Sequence, residues 1–229
     1  MWRYMSLAAF VSVVQTKRLF FARLDSLEDP YEGRMLVPQR LAQYLIVGEG
    51  ILHVQRRSRD AMIRLQAEAR AKLCINCWHI NEGESAAMWA LYSKESGIAI
   101  QSTVRRLQQS FSAERRTVYV GQVEYYDFDQ VDFVLPRRWM SLHMAKRKSF
   151  AHERELRAVA EASPDGKNKG VPVSVDPRVL IERIYVSPVA PNWHAAVVRG
   201  ILQNYGLSDK EVLHSRLYSI ADAVKRSGQ

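Results

Sequence analysis

The sequence predicts a mixed α+β protein folded as a single domain over residues 1–229, with mainly antiparallel strands and flanking helices. Three observations carry this reading. A chain of 229 residues suits one large domain better than two small ones. Hydrophobic residues make up 47% of it, enough for a sizeable core. Strand-like and helix-like segments also follow one another without the regular strand–helix–strand alternation of a parallel sheet.

Taken in order, Trp2 to Met5 reads as a short strand, and Ser6 caps a helix running through Val14. Arg18 to Ala22 is a second strand. Asp29-Pro30-Tyr31-Glu32 has the form of a capping box, with Asp at the cap, Pro at the first helical position and Glu three residues on. Helical spacing covers 38–47 and then 51–72, where Met62, Leu65, Ala69 and Leu73 share a face opposite a row of arginines. Lys72 to Ile80 alternates as a strand, Ala86 to Ser93 is a short helix, and Ile98 to Gln101 and Thr117 to Tyr125 are strands. The segments 126–137 and 163–170 read as connections, the second built around the turn sequence Ser163-Pro164-Asp165-Gly166. Glu155 to Ala160, Val171 to Val175 and Ile181 to Val186 add three strands. Pro191 to Tyr205 is a helix closed by Gly206.

Composition narrows the setting. No run of about eighteen apolar residues exists, and the start Met1-Trp2-Arg3-Tyr4 lacks the layout of a signal peptide. Two cysteines do not make a disulfide framework, so a reducing cytoplasm is expected. The formal net charge of +9 and pI near 9.7 favour a polyanionic partner. The basic residues concentrate in two places, Arg56 and Arg57 through Lys72, and Arg137, Arg138, Lys146, Arg147 and Lys148. Both clusters could neutralise phosphates of a nucleic acid, and both read equally as solvated surface.

Four constellations could carry chemistry. The first is Glu153-Arg154-Glu155-Leu156-Arg157. On a strand, Glu153, Glu155 and Arg157 share one face while Leu156, Ala158 and Ala160 line the core. Two carboxylates so spaced repel, which raises the pKa of one; such a pair suits a cationic, sugar-like transition state. The competing reading is an edge strand with a salt-bridged outer face. The second is Cys74-Ile75-Asn76-Cys77-Trp78-His79, which lacks the second ligand pair of a structural zinc site and is read as packed thiols. The third is Met88-Trp89-Ala90-Leu91-Tyr92, with Trp89 and Tyr92 three apart, either the wall of a ring-binding pocket or core. The fourth is the acidic group Glu124, Asp127, Asp129 and Asp132, whose spacing matches no metal motif. Phosphate-binding glycine loops and the nucleophile elbow are absent from the sequence.

Several of these pieces, in this order, resemble an uncharacterised bacterial family of domains of unknown function, number twenty-nine seventy-one. They are Trp2-Arg3-Tyr4, Arg18-Leu19-Phe20-Phe21-Ala22, Asp29-Pro30-Tyr31-Glu32-Gly33, Met88-Trp89-Ala90-Leu91-Tyr92 with Gly97-Ile98-Ala99-Ile100, and His152-Glu153-Arg154-Glu155-Leu156-Arg157. More distantly, a first-strand arginine, a middle aromatic or hydroxyl element and a late Glu-x-Glu resemble the ADP-ribosyltransferase plan. That resemblance implies a split-sheet fold and an NAD-using transferase or NAD-cleaving enzyme, of the kind that serves as a bacterial toxin or phage-defence effector. It implies that Arg3 holds NAD, that Tyr4, Trp89 or Tyr92 stacks on nicotinamide, that Glu155 is catalytic, and that Glu153 orients the acceptor, a protein or a nucleic acid. The middle motif here is Gln101-Ser102-Thr103, where the arginine-modifying branch has Ser-Thr-Ser. The alternative is a basic nucleic-acid-binding or nucleic-acid-processing protein without NAD chemistry, carried by Arg56, Arg57, Arg137, Arg138, Lys146 and Lys148.

Overall fold

The computed structural model describes residues 1–29, 32, 64, 67–93, 96–127, 143–163 and 168–218. The expected helix at 38–47, most of 51–72, and Arg56, Arg57, Arg137, Arg138, Asp129 and Asp132 lie outside the described residues. In chain order the elements are β1 (Trp2–Ser6), α1 (Leu7–Thr16), β2 (Arg18–Arg23), β3 (Leu73–His79), α2 (Ala86–Tyr92) and β4 (Gly97–Gln101). Next come α3 (Val104–Ser110), β5 (Tyr119–Gln122), β6 (Glu124–Tyr126), β7 (Ala145–Arg147) and β8 (Glu155–Glu161). The chain ends with β9 (Gly170–Ser174), α4 (Pro177–Leu180), β10 (Arg183–Val186), α5 (His194–Asn204) and β11 (Glu211–His214). Short 3₁₀ turns occupy Leu24–Ser26 and Lys148–Glu153. The fold is α+β: β3 and β4 pair antiparallel with β1, as do β10 with β4, β2 with β3 and β5 with β8, while β10 with β11 and β6 with β7 are parallel. Among the described residues, no helix is long and apolar enough to cross a membrane.

The chain divides into two compact units: Met1–Leu19, Trp78–Glu114 and Ser174–Gln229 form the first, Phe20–Cys77 and Arg115–Val173 the second. In the first, β4 lies between β1 and β10, and β11 follows β10. Ser6 starts α1 as expected, its Oγ accepting from Ala9 N at 3.2 Å. Lys17 ends the helix in the left-handed region at φ 53. Gly206, at φ 68, closes α5 where the sequence placed the stop.

One face of this unit's sheet carries Trp2, Tyr4 and Ala99, against which Met88 and Trp89 of α2 pack. Tyr4 meets Trp89 edge-on at 5.0 Å and Trp2 meets Tyr185 at 4.9 Å. Each such pair contributes about 1 kcal/mol beyond area burial. The approach is close at Gly97, where an added Cβ would lie 2.3 Å from Ser93 Cβ and 2.4 Å from Ser93 O. Gly97→Ala is therefore expected to cost about 1–3 kcal/mol, read as a lower denaturation midpoint; an unchanged midpoint would show that the α2–β4 junction yields freely.

In the second unit β3 pairs with β2 and β8, and β8 with β5. Leu24, Leu73, Ile75 and Val159 form its apolar core, with Leu27, Cys77 and Met144 packed on them. Here the sequence reading needs corrections. The strand expected over Thr117 to Tyr125 is two strands, because β5 pairs with β8 while β6 leaves that sheet to pair with β7. Nor is β8 half-solvated, since every residue from Glu155 to Ala160 is buried. Its charged residues must therefore find partners inside.

Candidate functional site: a buried ion cluster in the second unit

Glu153 and Glu155 come together in the second unit, by a route the sequence reading did not anticipate. Glu155 opens β8, but Glu153 ends the preceding 3₁₀ turn, and Arg154 between them adopts φ 41, ψ 57. A non-glycine residue pays about 1–2 kcal/mol for the left-handed region. That kink aims both carboxylates at one ammonium. Lys146 Nζ on β7 donates to Glu153 Oε2 at 2.6 Å and to Glu155 Oε2 at 3.2 Å. It also lies 3.1 Å from Glu32 Oε1.

Arg157 completes the group from two residues along β8, on the same face as Glu155. Its Nε donates to Glu155 Oε1 at 2.6 Å, and its Nη2 to Glu155 Oε2 at 3.1 Å and to Glu32 Oε2 at 2.6 Å. Its Nη1 donates to His143 O at 2.8 Å. Tyr125 Oη accepts from Glu155 N at 2.8 Å, and the Cys77 thiol donates to the Glu155 carboxylate. Within this group of five, Glu32, Glu153 and Glu155 bring three formal negative charges and Lys146 and Arg157 two positive ones. All five side chains are buried, Glu155 at 3% exposure and Glu153 at 8%.

Of a pair expected to hold one raised and one ionised carboxyl, Glu155 is an ionised one. Burial pushes its pKa up, but Arg157 and Lys146 outweigh burial and hold it at about 2, against a usual 4.5. Burial alone would lower the pKa of Lys146 and Arg157, and the surrounding carboxylates drive both upward instead. His143 is pushed down to about 4, first by burial and then by Arg157, so it is neutral at pH 7. Burial likewise takes Tyr125 up to about 12.

These shifts predict how stability depends on acid. Both His143 and Glu155 have folded values below their unfolded ones, so the unfolded chain binds protons first as pH falls. Stability therefore declines between about pH 6.5 and 4 as His143 is penalised. It declines again below about 4.5, towards 2, as the Glu155 contribution is lost. That contribution is on the order of 3 kcal/mol. Denaturation midpoints measured from pH 7 to pH 3 should fall throughout; a flat profile would refute the ionised cluster.

Glu32 was read as part of a capping box. Its N–H does donate to Asp29 O at 3.2 Å, but its carboxylate is drawn inward to Arg157 and Lys146. Lys146, read as a nucleic-acid contact, is buried and committed to three carboxylates, so it presents no charge to a phosphate. Lys148 is exposed. Sequence reasoning missed the roles of Glu32, Lys146, Arg157, Tyr125 and His143.

The residues read as NAD contacts lie in the first unit. Tyr4 and Trp89 are buried side by side, and their polar atoms are engaged: Tyr4 Oη accepts from Ser85 N at 2.9 Å and Trp89 Nε1 donates to Glu84 at 2.9 Å. Burial raises Tyr4 to about 12. Tyr92, on the same short helix, is 49% exposed. Arg3 adjoins Tyr4 on β1 and so projects from the opposite face of the sheet, its guanidinium 5.9 Å from the centre of the Trp78 ring. Tyr4 and Trp89 thus form one packed pair, and Arg3 stands on the reverse side.

No protein-family model and no curated protein matches the chain, so its likeness to the uncharacterised family rests on the motifs alone. Among solved structures, it is similar to Thermus sp. 2.9 DarT in complex with ADP-ribosylated ssDNA. That match has 10% identity and a TM-score of 0.40, and covers 94% of this chain and 92% of that one.

Proposed function

We propose that the chain is an NAD-using enzyme that breaks the bond between nicotinamide and ribose, passing ADP-ribose to an acceptor or to water. The observation that supports this reading is the convergence of Glu153 and Glu155 on Lys146 within 3.2 Å, across the left-handed Arg154. The reading rests on the second unit by itself.

Cleavage of the C1′–N bond sends the bonding pair onto the nicotinamide nitrogen, which leaves neutral, and gathers positive charge on the ribose ring. A fixed carboxylate lowers the energy of that cationic state. Glu155 fits the part because Arg157 and Lys146 keep it ionised at neutral pH. For the same reason it neither gives nor takes a proton at neutral pH. The group of five carries one more negative than positive charge, which favours a cation arriving beside it. Glu153, the more exposed carboxylate, orients the acceptor and draws off its proton as the new bond to C1′ forms.

The test is nicotinamide release from NAD by the whole chain, beside Glu155→Gln and Glu153→Gln. Release by the parent chain and its loss in Glu155→Gln support the reading. No release, with NAD and candidate protein and nucleic-acid acceptors supplied, sinks it.

A further inference from the structure

Arg154 is the feature that the ion cluster leaves unexplained. The kink between the two glutamates needs a left-handed residue, which glycine supplies at no steric cost, yet an arginine stands there. Glu153 and Glu155 on either side are buried, while Arg154 is exposed. The same backbone twist that sends the carboxylates inward therefore turns a guanidinium outward.

The preceding turn extends this pattern. In a 3₁₀ helix, residues three apart lie above one another. In the turn Lys148–Glu153 this puts Phe150 and the buried Glu153 in one row, with the Arg147 guanidinium 5.3 Å from the Phe150 ring centre. Lys148 and Ala151 form a second row, Arg154 follows the turn as its left-handed cap, and all three are exposed. Arg154 N donates to Ala151 O at 3.2 Å, which fixes its backbone at the end of the turn. Two cations thus flank a residue with almost no side chain, their Cα atoms about 12 Å apart by helical rise. Side chains of that length can close on a small dianion from both ends.

We propose that the edge formed by Lys148, Ala151 and Arg154 is a pyrophosphate-binding cradle, which takes the diphosphate of the dinucleotide substrate. The inference rests on the NAD reading and adds where the substrate's negative charge is held. An acidic interior with a basic edge sorts the two ends of such a substrate: the anionic diphosphate stays outside, and the ribose that becomes cationic is drawn toward the carboxylates. Guanidinium and ammonium donors to phosphate form short, charge-assisted bonds.

The experiment measures ADP-ribose binding by calorimetry for the parent chain, Arg154→Gly, Arg154→Lys, Lys148→Gln and Ala151→Glu. Glycine keeps the left-handed backbone and removes the side chain, so Arg154→Gly should still fold, as its denaturation midpoint will show, and bind about 10–100-fold more weakly. Arg154→Lys should recover part of the loss. Lys148→Gln should weaken binding about tenfold, and Ala151→Glu should abolish it. In turnover, KM for NAD should rise in Arg154→Gly far more than kcat falls.

Parental ADP-ribose affinity in both Arg154→Gly and Lys148→Gln overturns the cradle, as does a parent chain that binds no ADP-ribose. Weakened retention of an oligonucleotide with unchanged ADP-ribose affinity overturns it too, by assigning the edge to nucleic acid. Binding that depends on Arg154, without nicotinamide release, removes the proposed chemistry and leaves the cradle standing. Release at an unaltered KM in Arg154→Gly does the reverse.

Discussion

Substituting methionine for Arg157 lowers the stability of the chain by about 3–5 kcal/mol. Arg157 is fully buried and is bound by Glu155, Glu32 and the His143 carbonyl. Methionine restores much of the volume but none of the charge, so two carboxylates lose their main counter-ion inside the protein. Lys146, already shared among three carboxylates, cannot replace it. Adding Glu155→Gln to Arg157→Met should therefore return part of the loss, because it neutralises the carboxylate left exposed to the apolar interior. Non-additivity of about 1 kcal/mol or more is the signature of a coupled ion network. Chemical denaturation followed by circular dichroism reads both numbers. Strict additivity, or a loss under about 1 kcal/mol for the single variant, would mean that Arg157 serves only to fill space.

The legible parts of the fold were those whose signals are local. Ser6 before an apolar period and Gly206 after one marked helix ends, because caps act on the backbone beside them. The same kind of signal was passed over twice. Thr103 caps α3 by accepting from Arg106 N, and Asp176 ahead of Pro177 caps α4; both short helices went unread. What could not be read was partnership. The carboxylates of Glu153 and Glu155 looked mutually repulsive because Lys146 lies seven and nine residues away, and Glu32 meets Arg157 across 125 positions. Once those cations are in place, they outweigh burial and hold Glu155 ionised. The αL conformation of Arg154 is equally invisible from sequence, since nothing in an arginine announces positive φ. The Glu-x-Glu motif was found for its spacing along a strand, and that spacing is broken by a kink in the structure.

Glu155→Gln is expected to cut nicotinamide release by at least about 100-fold while leaving a folded protein. The amide keeps the shape and can still accept from Arg157, so the geometry of β8 survives. What disappears is the full negative charge beside the developing cation. Glu153→Gln should behave differently. It leaves the ionised Glu155 in place, so cleavage to nicotinamide continues within about tenfold, while transfer to an acceptor falls by about 100-fold, as expected for loss of a proton acceptor. Measuring free nicotinamide and acceptor-bound ADP-ribose in the same reaction separates the two roles. The pH profile gives an independent check. Because Glu155 stays ionised down to about pH 2, the release rate should show no acidic limb of its own above the pH at which the protein itself loses stability. An acidic limb near pH 4–5, in a chain still folded there, would place the reacting charge on a different carboxylate. If Glu155→Gln releases nicotinamide within about threefold of the parent rate and melts normally, Glu155 is one more counter-ion of Arg157, and the reacting carboxylate must be sought elsewhere.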